Sequence, residues 1–269
     1  MSMKMLKKTS LMLGLVLVFN YGSNVKAMDE DISSKDVIGL WHFDEGEGDT
    51  AKDSSPNGND LRLVKTEWAD GKKGKCLSFN GKDSYAVIKK VSENLALAGN
   101  EFTISAWIKP DYEYPKREYI VACNESELGP GYGLELSYGH LSLRSGLGSG
   151  VKVPKKEKSW GISTPKFKKG EIPKTILQKG GPWYKGELDD RWYHVAVTYK
   201  DGLYRIYVDG SIAVEKKEKA INPSAPKTKF VIGAYHARHY NFTGLIDEVE
   251  ILSRAKTGEE IIEAALIIE

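Results

Sequence analysis

Short runs of alternating apolar and polar residues, separated by turn residues, fill the chain from residue 37 onward. Residues i and i+2 of a strand point to the same face of a sheet, so this two-residue period predicts β-strands. Hairpin dipeptides such as Asn80-Gly81 and Asp209-Gly210 mark several of the breaks. The pattern predicts these strands: Val37–Phe43, Lys75–Phe79, Tyr85–Ile88, Phe102–Ile108, Tyr119–Cys123, Tyr132–Tyr138, Leu141–Arg144, Trp192–Tyr199, Leu203–Val208, Ile212–Glu215, Phe230–Ile232 and Leu245–Leu252.

Regular short strands without intervening helices favour an all-β, antiparallel two-sheet sandwich over a fold of alternating strands and helices. One short helix is predicted at the C-terminus. Thr257 is its candidate N-cap, and Glu260 completes a capping box three residues later. An apolar stripe at helical spacing follows, formed by Ile261, Ile262, Ala265 and Leu266. We expect this helix to cover one end of the sandwich.

The first 27 residues have the parts of a secretory signal peptide. Three lysines precede the apolar segment Leu11–Phe19, and Val25-Lys26-Ala27 offers a cleavage site. This apolar segment is far shorter than the roughly 20 residues that cross a bilayer. The sequence therefore predicts a secreted protein, extracellular or periplasmic, with no transmembrane span after signal removal. Retention of the signal as an anchor is the alternative.

After the signal peptide, we interpret residues 28–36 as a short linker and residues 37–269 as one domain. Within this domain, residues 146–187 interrupt the strand pattern. This insertion holds ten lysines against three glutamates, although the formal net charge of the whole chain is only +2. A loop of this length inside a compact domain is uncommon and is often functional.

The basic insertion also contains aromatic residues, and this combination suits an anionic polysaccharide. Ammonium groups attract carboxylate or sulfate, while aromatic rings stack on the faces of sugars. The alternative is a solvated loop. The candidate ligand-binding residues of the insertion are Trp160, Trp183, Tyr184, Lys155, Lys156, Lys158, Lys168 and Lys169.

Several motifs, in order along residues 37–265, resemble laminin-G-like domains of the concanavalin A-like lectin/glucanase superfamily. These motifs are GLWHFDEGEG at residues 39–48, GKCLSFNG at 74–81, FTISAWIKP at 102–110, WYHVAVTY at 192–199, YVDG at 207–210 and GLIDEVEILSRA at 244–255. The resemblance implies two antiparallel sheets wrapped as a jelly roll. The insertion has no counterpart in the family pattern.

The resemblance further implies one structural calcium ion, which many superfamily members hold where the first strand meets the last. By position, Asp44 and Asp247 match the acidic ligands, with backbone carbonyls near Asn80 as partners. Oxygen ligands of this kind suit calcium. The alternative is that Asp44 caps a turn and that Asp247 pairs with a nearby basic side chain.

Two cysteines and a histidine pair complete the candidate chemistry. Export through an oxidising compartment permits a disulfide between Cys76 and Cys123, and two buried thiols are the alternative. His236 and His239 flank Arg238 in the loop before the last predicted strand. A transition metal would need further ligands that the sequence does not place. We therefore interpret these three residues as a loop that presents polar groups to a ligand.

The superfamily includes glycoside hydrolases and polysaccharide lyases, so catalysis has to be considered. Retaining hydrolysis needs two carboxylates about 5 Å apart, and this sequence lacks the Glu-x-Asp-x-x-Glu or Glu-x-Asp-x-Glu run of the hydrolases. We predict a secreted carbohydrate-binding or adhesion-type recognition module without a catalytic site of its own. The alternatives are a hydrolase or lyase with an unusual site, and a module that binds a protein partner at the cell surface. Nucleic acid is not an expected partner of an exported protein.

Overall fold

The computed structural model describes residues 33–88, 93–111, 116–124, 130–138, 140–146, 159–164, 191–218 and 229–266. The predicted signal peptide and most of the predicted linker lie outside these residues. The described part contains one α-helix, α1 (Gly258–Ala265), and the 3-10 helix Glu93–Ala96. Its strands are β1 (Val37–Trp41), β2 (Thr50–Ala51), β3 (Leu61–Val64), β4 (Glu67–Asp70), β5 (Lys75–Asn80), β6 (Tyr85–Ile88), β7 (Glu101–Pro110), β8 (Arg117–Asn124), β9 (Gly131–Ser137), β10 (His140–Gly146), β11 (Ser159–Ser163), β12 (Tyr193–Lys200), β13 (Leu203–Val208), β14 (Ser211–Lys217), β15 (Phe230–Ile232) and β16 (Thr243–Leu252).

These strands form two antiparallel sheets, and the predicted sandwich is confirmed. The first sheet has the order β14-β13-β12-β7-β16-β5-β4, and β1 pairs with the free part of β16. The second sheet has the order β11-β10-β9-β8-β15-β6-β3-β2. In the described residues, no helix is both long enough and apolar enough to span a membrane.

The core lies between the sheets and is built from the inward side of each alternating strand. In β7 the inward residues are Ile104, Ala106 and Ile108, as the alternation predicts. Large aromatic side chains fill the space, and the Trp41 and Phe230 rings stack with centroids 5.2 Å apart. Burial of this apolar surface is the main force that holds the two sheets together.

The C-terminal segment covers the outward face of the first sheet, not one end of the sandwich. Thr257 caps α1, and the predicted capping box with Glu260 is present. Of the predicted apolar stripe, Ile261 is buried against Ala196 and Tyr207 of the first sheet. Ile262 is 45% exposed, so the stripe is narrower than the sequence suggests. One turn of the helix contacts the sheet because the helix is only eight residues long.

Part of the insertion continues the second sheet, which the sequence pattern did not predict. Residues 159–163 form β11, which pairs with β10 in antiparallel register. Its sequence, SWGIS, offers only one aliphatic side chain, so it lacks the apolar alternation that identifies longer strands. The short strands β2, β3 and β4 were not predicted either, because runs of two to four residues are too short for the alternation to identify.

The cysteines are both buried free thiols, and the disulfide is not formed. Cys123 lies in β8 of the second sheet and contributes to the core between the sheets. Cys76 lies in β5 of the first sheet, next to the inward-facing Leu77, and so points outward. Its thiol donates to the carbonyl oxygen of Asp70 at 3.4 Å, and burial raises its pKa to about 12. The body of the first sheet separates the two sulfurs, which explains why they do not meet.

Candidate functional site

The outward face of the second sheet carries small residues where β9, β10 and β11 lie side by side. In β9, the inward residues Tyr132, Leu134 and Leu136 alternate with outward-facing positions. The outward positions across these strands are Gly133, Glu135, Ser137, Ser142, Arg144, Gly161 and Ser163. We call this set the small-residue band. Most of these residues are buried; Arg144 and Ser163 are exposed, and Gly161 is partly exposed.

Two glycines flank Arg144 in the small-residue band. Arg144 is in register with Gly133 of β9 on one side and with Gly161 of β11 on the other. A Cβ atom at Gly133 would lie 2.3 Å from Cε1 of Tyr119. A Cβ atom at Gly161 would lie 3.3 Å from Cγ of Arg144. Glycine at positions 133 and 161 therefore allows the Tyr119 ring and the Arg144 side chain to lie flat against the sheet.

A tyrosine cluster borders the band on the β8 side. The rings of Tyr119 and Tyr235 have centroids 5.0 Å apart, and each lies about 6 Å from the ring of Tyr240. Tyr119 and Tyr235 are buried, whereas Tyr240 is 40% exposed. The Arg117 guanidinium lies 4.7 Å from the centroid of the Tyr240 ring and supports it by a cation–π contact. The result is one exposed ring held by three buried groups.

A buried carboxylate links the tyrosine cluster to the small-residue band. Glu135 is fully buried and accepts from Nε of Arg117 at 2.7 Å and from Nε of Arg144. Arg117 also donates through Nη2 to the hydroxyl of Tyr119 at 2.6 Å. One negative charge is thus shared by two guanidinium groups, so this network has a net positive charge.

The loop between β15 and β16 contributes the predicted residues His236, Arg238 and His239. The His236 ring packs on the Tyr235 ring at 4.3 Å, and burial lowers the pKa of His236. Arg238 and His239 are exposed beside it. The structure therefore brings all three to the edge of the tyrosine cluster. Among the described residues, no group of three or more His, Cys, Asp or Glu side chains could hold a metal ion.

Sequence reasoning placed the ligand site elsewhere, on the aromatic and basic residues of the insertion. Trp160 lies in β11, where its backbone is in register with Ser145 of β10. The other candidates lie outside the described residues: Trp183, Tyr184, Lys155, Lys156, Lys158, Lys168 and Lys169. The signal for the site that was missed is the outward-facing pattern of GYGLELS in β9, where glycine and glutamate replace bulky groups.

The residues predicted to hold calcium do not form one ligand set. Asp44 is exposed, and its Oδ1 accepts from the backbone N–H of Lys75, at the start of β5. Asn80 lies at the other end of that strand, about 17 Å away for five residues in extended conformation. Its side-chain oxygen accepts from backbone N–H groups of the following turn, including that of Lys82. Asn80 is therefore too far from Asp44 to share an ion with it.

Asp247 is fully buried, and its carboxylate is already satisfied by backbone donors. Oδ2 accepts from the N–H groups of Lys72 at 2.8 Å and Lys73 at 3.1 Å, and Oδ1 accepts from that of Glu248. Burial raises the pKa of Asp247 to about 7. Calcium takes six to eight oxygen ligands, whereas this carboxylate faces N–H groups. These contacts do not fit a calcium site.

Comparison with known families and structures agrees with this architecture. The family model of the concanavalin A-like lectin/glucanases superfamily matches residues 182–262. The described domain has the concanavalin A-like jelly-roll fold. No curated protein resembles this jelly-roll chain closely enough to count as a match.

Solved structures with the same fold include domain 4 of AbnA, a GH43 extracellular arabinanase from Geobacillus stearothermophilus, in complex with arabinotriose. It has a TM-score of 0.59 at 20% identity, over 86% of this chain and 98% of that one. The binding domain of Paraclostridial Mosquitocidal Protein 1 has a TM-score of 0.60 at 17% identity over 86% of this chain. The botulinum neurotoxin serotype G binding domain has a TM-score of 0.59 at 16% identity, also over 86% of this chain. The jelly roll spans about half of each toxin domain, 52% and 51% respectively. At these identities, the similarity shows the fold alone.

Proposed function

We propose that this jelly-roll chain is a carbohydrate-recognition module that binds glycan on the outward face of its second sheet. The observation that carries the proposal is the exposed Tyr240 ring, fixed by Arg117 and two buried tyrosines beside the small-residue band. An immobilised ring loses little conformational freedom when a ligand stacks on it, so more of the contact energy contributes to affinity.

The chemistry of this face suits sugars. A pyranose or furanose ring offers C–H groups on one face and hydroxyl groups around its edge. Tyr240 supplies an apolar stacking surface, while the exposed Ser163 and Arg144 supply hydrogen-bonding groups along the sheet. A small set of polar groups around an aromatic surface is the usual composition of a ligand site.

The structural similarity gives the proposal further support. The AbnA domain, which the chain matches over nearly its full length, is described in complex with arabinotriose. The toxin domains are described as binding domains. We extend glycan binding to this chain as a proposal, and we also propose export, on the basis of the signal-like residues 1–27.

The site is proposed to bind without catalysis. Glu135 is the acid nearest to the tyrosine cluster in the β8–β9 register, and both of its oxygens are held by arginines. Because each oxygen faces a guanidinium group, neither one is directed at a bound ligand. A second function, docking of a protein partner, has no comparable observation in its favour.

Calorimetric titration with oligosaccharides, including arabinotriose and oligogalacturonates, tests this function. We expect Tyr240→Ala to weaken binding about tenfold, because the substitution removes the exposed stacking ring. Tyr138→Ala is the matched control, since Tyr138 is 62% exposed in the turn between β9 and β10 but lies outside the tyrosine cluster. It should bind as the wild type does.

Two results would contradict the proposal. The first is equal binding by wild type and Tyr240→Ala, and the second is no binding to any glycan offered. Release of reducing sugar by the wild-type protein would instead support the hydrolase alternative.

A further inference from the structure

Arg144 is oriented by the protein but keeps its terminal nitrogen atoms available. Its Nε donates to Glu135, which fixes the plane of the guanidinium group, and its side chain is 46% exposed. Among the described residues, the hydrogen bond of Arg144 to Glu135 uses Nε, and neither Nη1 nor Nη2 donates a hydrogen bond. Two adjacent N–H-bearing nitrogens in a fixed plane match the two oxygens of a carboxylate.

We infer that this face selects sugars that carry a carboxylate group, and that Arg144 is the residue that binds it. The inference rests on the proposed glycan-binding function and adds the class of sugar to it. On one side of Arg144 the Tyr119 ring lies over Gly133, whereas Gly161 on the other side has no side chain to cover the Arg144 guanidinium. A sugar carboxylate can therefore approach along the sheet while a neighbouring sugar stacks on Tyr240.

The charge balance of the face supports an acidic ligand. Glu135 compensates only one of the two guanidinium groups that it contacts. Arg238 adds another exposed positive charge at the edge of the tyrosine cluster. A second buried acid, Glu118 of β8, is paired with Lys116 and accepts from Thr243, so it does not offset this charge. An anionic ligand would thus neutralise an excess positive charge.

Arg205 provides a matched comparison on the other sheet. Its Nε donates to Glu215 at 2.6 Å, but Glu215 is itself 48% exposed, whereas Glu135 is buried. Each charge of that pair is balanced by the other, and no aromatic cluster adjoins it among the described residues. Arg205→Gln therefore removes a partly exposed, carboxylate-paired arginine without touching the proposed site.

The test uses oligogalacturonate, its methyl ester and a sulfated dextran oligosaccharide as calorimetric probes of the full chain. Oligogalacturonate and its ester share one backbone and differ only in the carboxylate charge. We expect the acid to bind at least about tenfold more tightly than the ester. Arg144→Gln should remove that preference, while Arg205→Gln should keep it. Arg144→Lys retains the charge and tests whether the planar fork is required, and we expect it to recover only part of the preference.

Failure of the inference and failure of the proposed function give different results. Equal binding of acid and ester, lost in Tyr240→Ala, would overturn the carboxylate inference and leave glycan binding intact. Tighter binding of the sulfated probe would overturn the choice of carboxylate. A preference that survives Arg144→Gln but is lost when Lys155, Lys156 and Lys158 become glutamine would assign anion binding to the insertion. Circular dichroism of Arg144→Gln and Arg144→Lys checks that both variants fold.

Discussion

The outward faces of the two sheets follow the same strand alternation, but the C-terminal segment covers one face, whereas the other keeps exposed groups. On the first sheet, Thr103 donates to the carbonyl oxygen of Arg254 and accepts from the N–H of Lys256, each at 2.8 Å. Ser105 donates to Glu250, which also pairs with Lys256. The C-terminal segment thus covers this face and satisfies its polar groups. On the second sheet, polar groups converge on Arg144 and Tyr240, which remain exposed.

The difference shows that a polar outward face does not by itself identify a binding site. Thr103, Ser105 and Trp107 have the alternation expected of a groove or a solvated face, yet all three are buried. The identity of the covering segment decides the outcome, because buried polar groups must find partners in the protein. A face becomes a candidate site where some of its polar and aromatic groups stay available.

The largest expected effect contrasts the carboxylates of the two sheets. Glu135→Ala leaves the largely buried Arg117 without its partner, and we expect a loss of about 3 kcal/mol in the free energy of unfolding. Glu215→Ala removes an exposed partner of Arg205 and should cost less than about 1 kcal/mol. Urea denaturation measures both values. Equal losses would remove the distinction between a buried network and a surface pair.

The cover over the first sheet should depend on one buried contact. Ile261→Ala opens a cavity against Ala196 and Tyr207, and we expect it to cost about 2 kcal/mol. Ile262→Ala, on the exposed side of the same turn, should change stability by less than about 0.5 kcal/mol. Glycan affinity should be unchanged in both variants. Loss of affinity in Ile261→Ala would show that the two faces are not functionally separate.

The last expected effect concerns the pH dependence of the first sheet. Because the pKa of Asp247 is raised to about 7, folded chains hold a proton that unfolded chains release above about pH 4. Asp247 therefore contributes stability at low pH that is lost as the pH rises toward 7. His194 acts in the opposite sense, since burial lowers its pKa to about 3.

Comparison of wild type with Asp247→Asn isolates the contribution of this carboxyl group. Between pH 5 and pH 7, the wild type should lose about 2 kcal/mol more unfolding free energy than the variant does. The control is Asp44→Asn, which changes an exposed carboxylate near the same loop. Parallel pH profiles for wild type and Asp247→Asn would contradict the assignment.

Local patterns in the sequence were enough to predict the sandwich and the cap of α1. Alternation within Phe102–Ile108 and the spacing from Thr257 to Glu260 each depend on residues a few positions apart. The Arg117–Glu135–Arg144 network depends instead on the register of three strands, and no spacing rule connects those positions. The hydrogen bonds to the Asp247 carboxylate likewise come from backbone groups about 175 residues earlier in the chain. Such contacts follow from the fold and not from a motif.

Hydrogen–deuterium exchange with and without bound glycan locates the binding face. Binding on the outward face of the second sheet predicts protection in peptides that cover β9, β10 and the loop of residues 233–242. Peptides that cover residues 253–266, over the first sheet, should exchange as they do in the free protein. Protection confined to residues 253–266, or to the insertion outside β11, would contradict a binding site on the outward face of the second sheet.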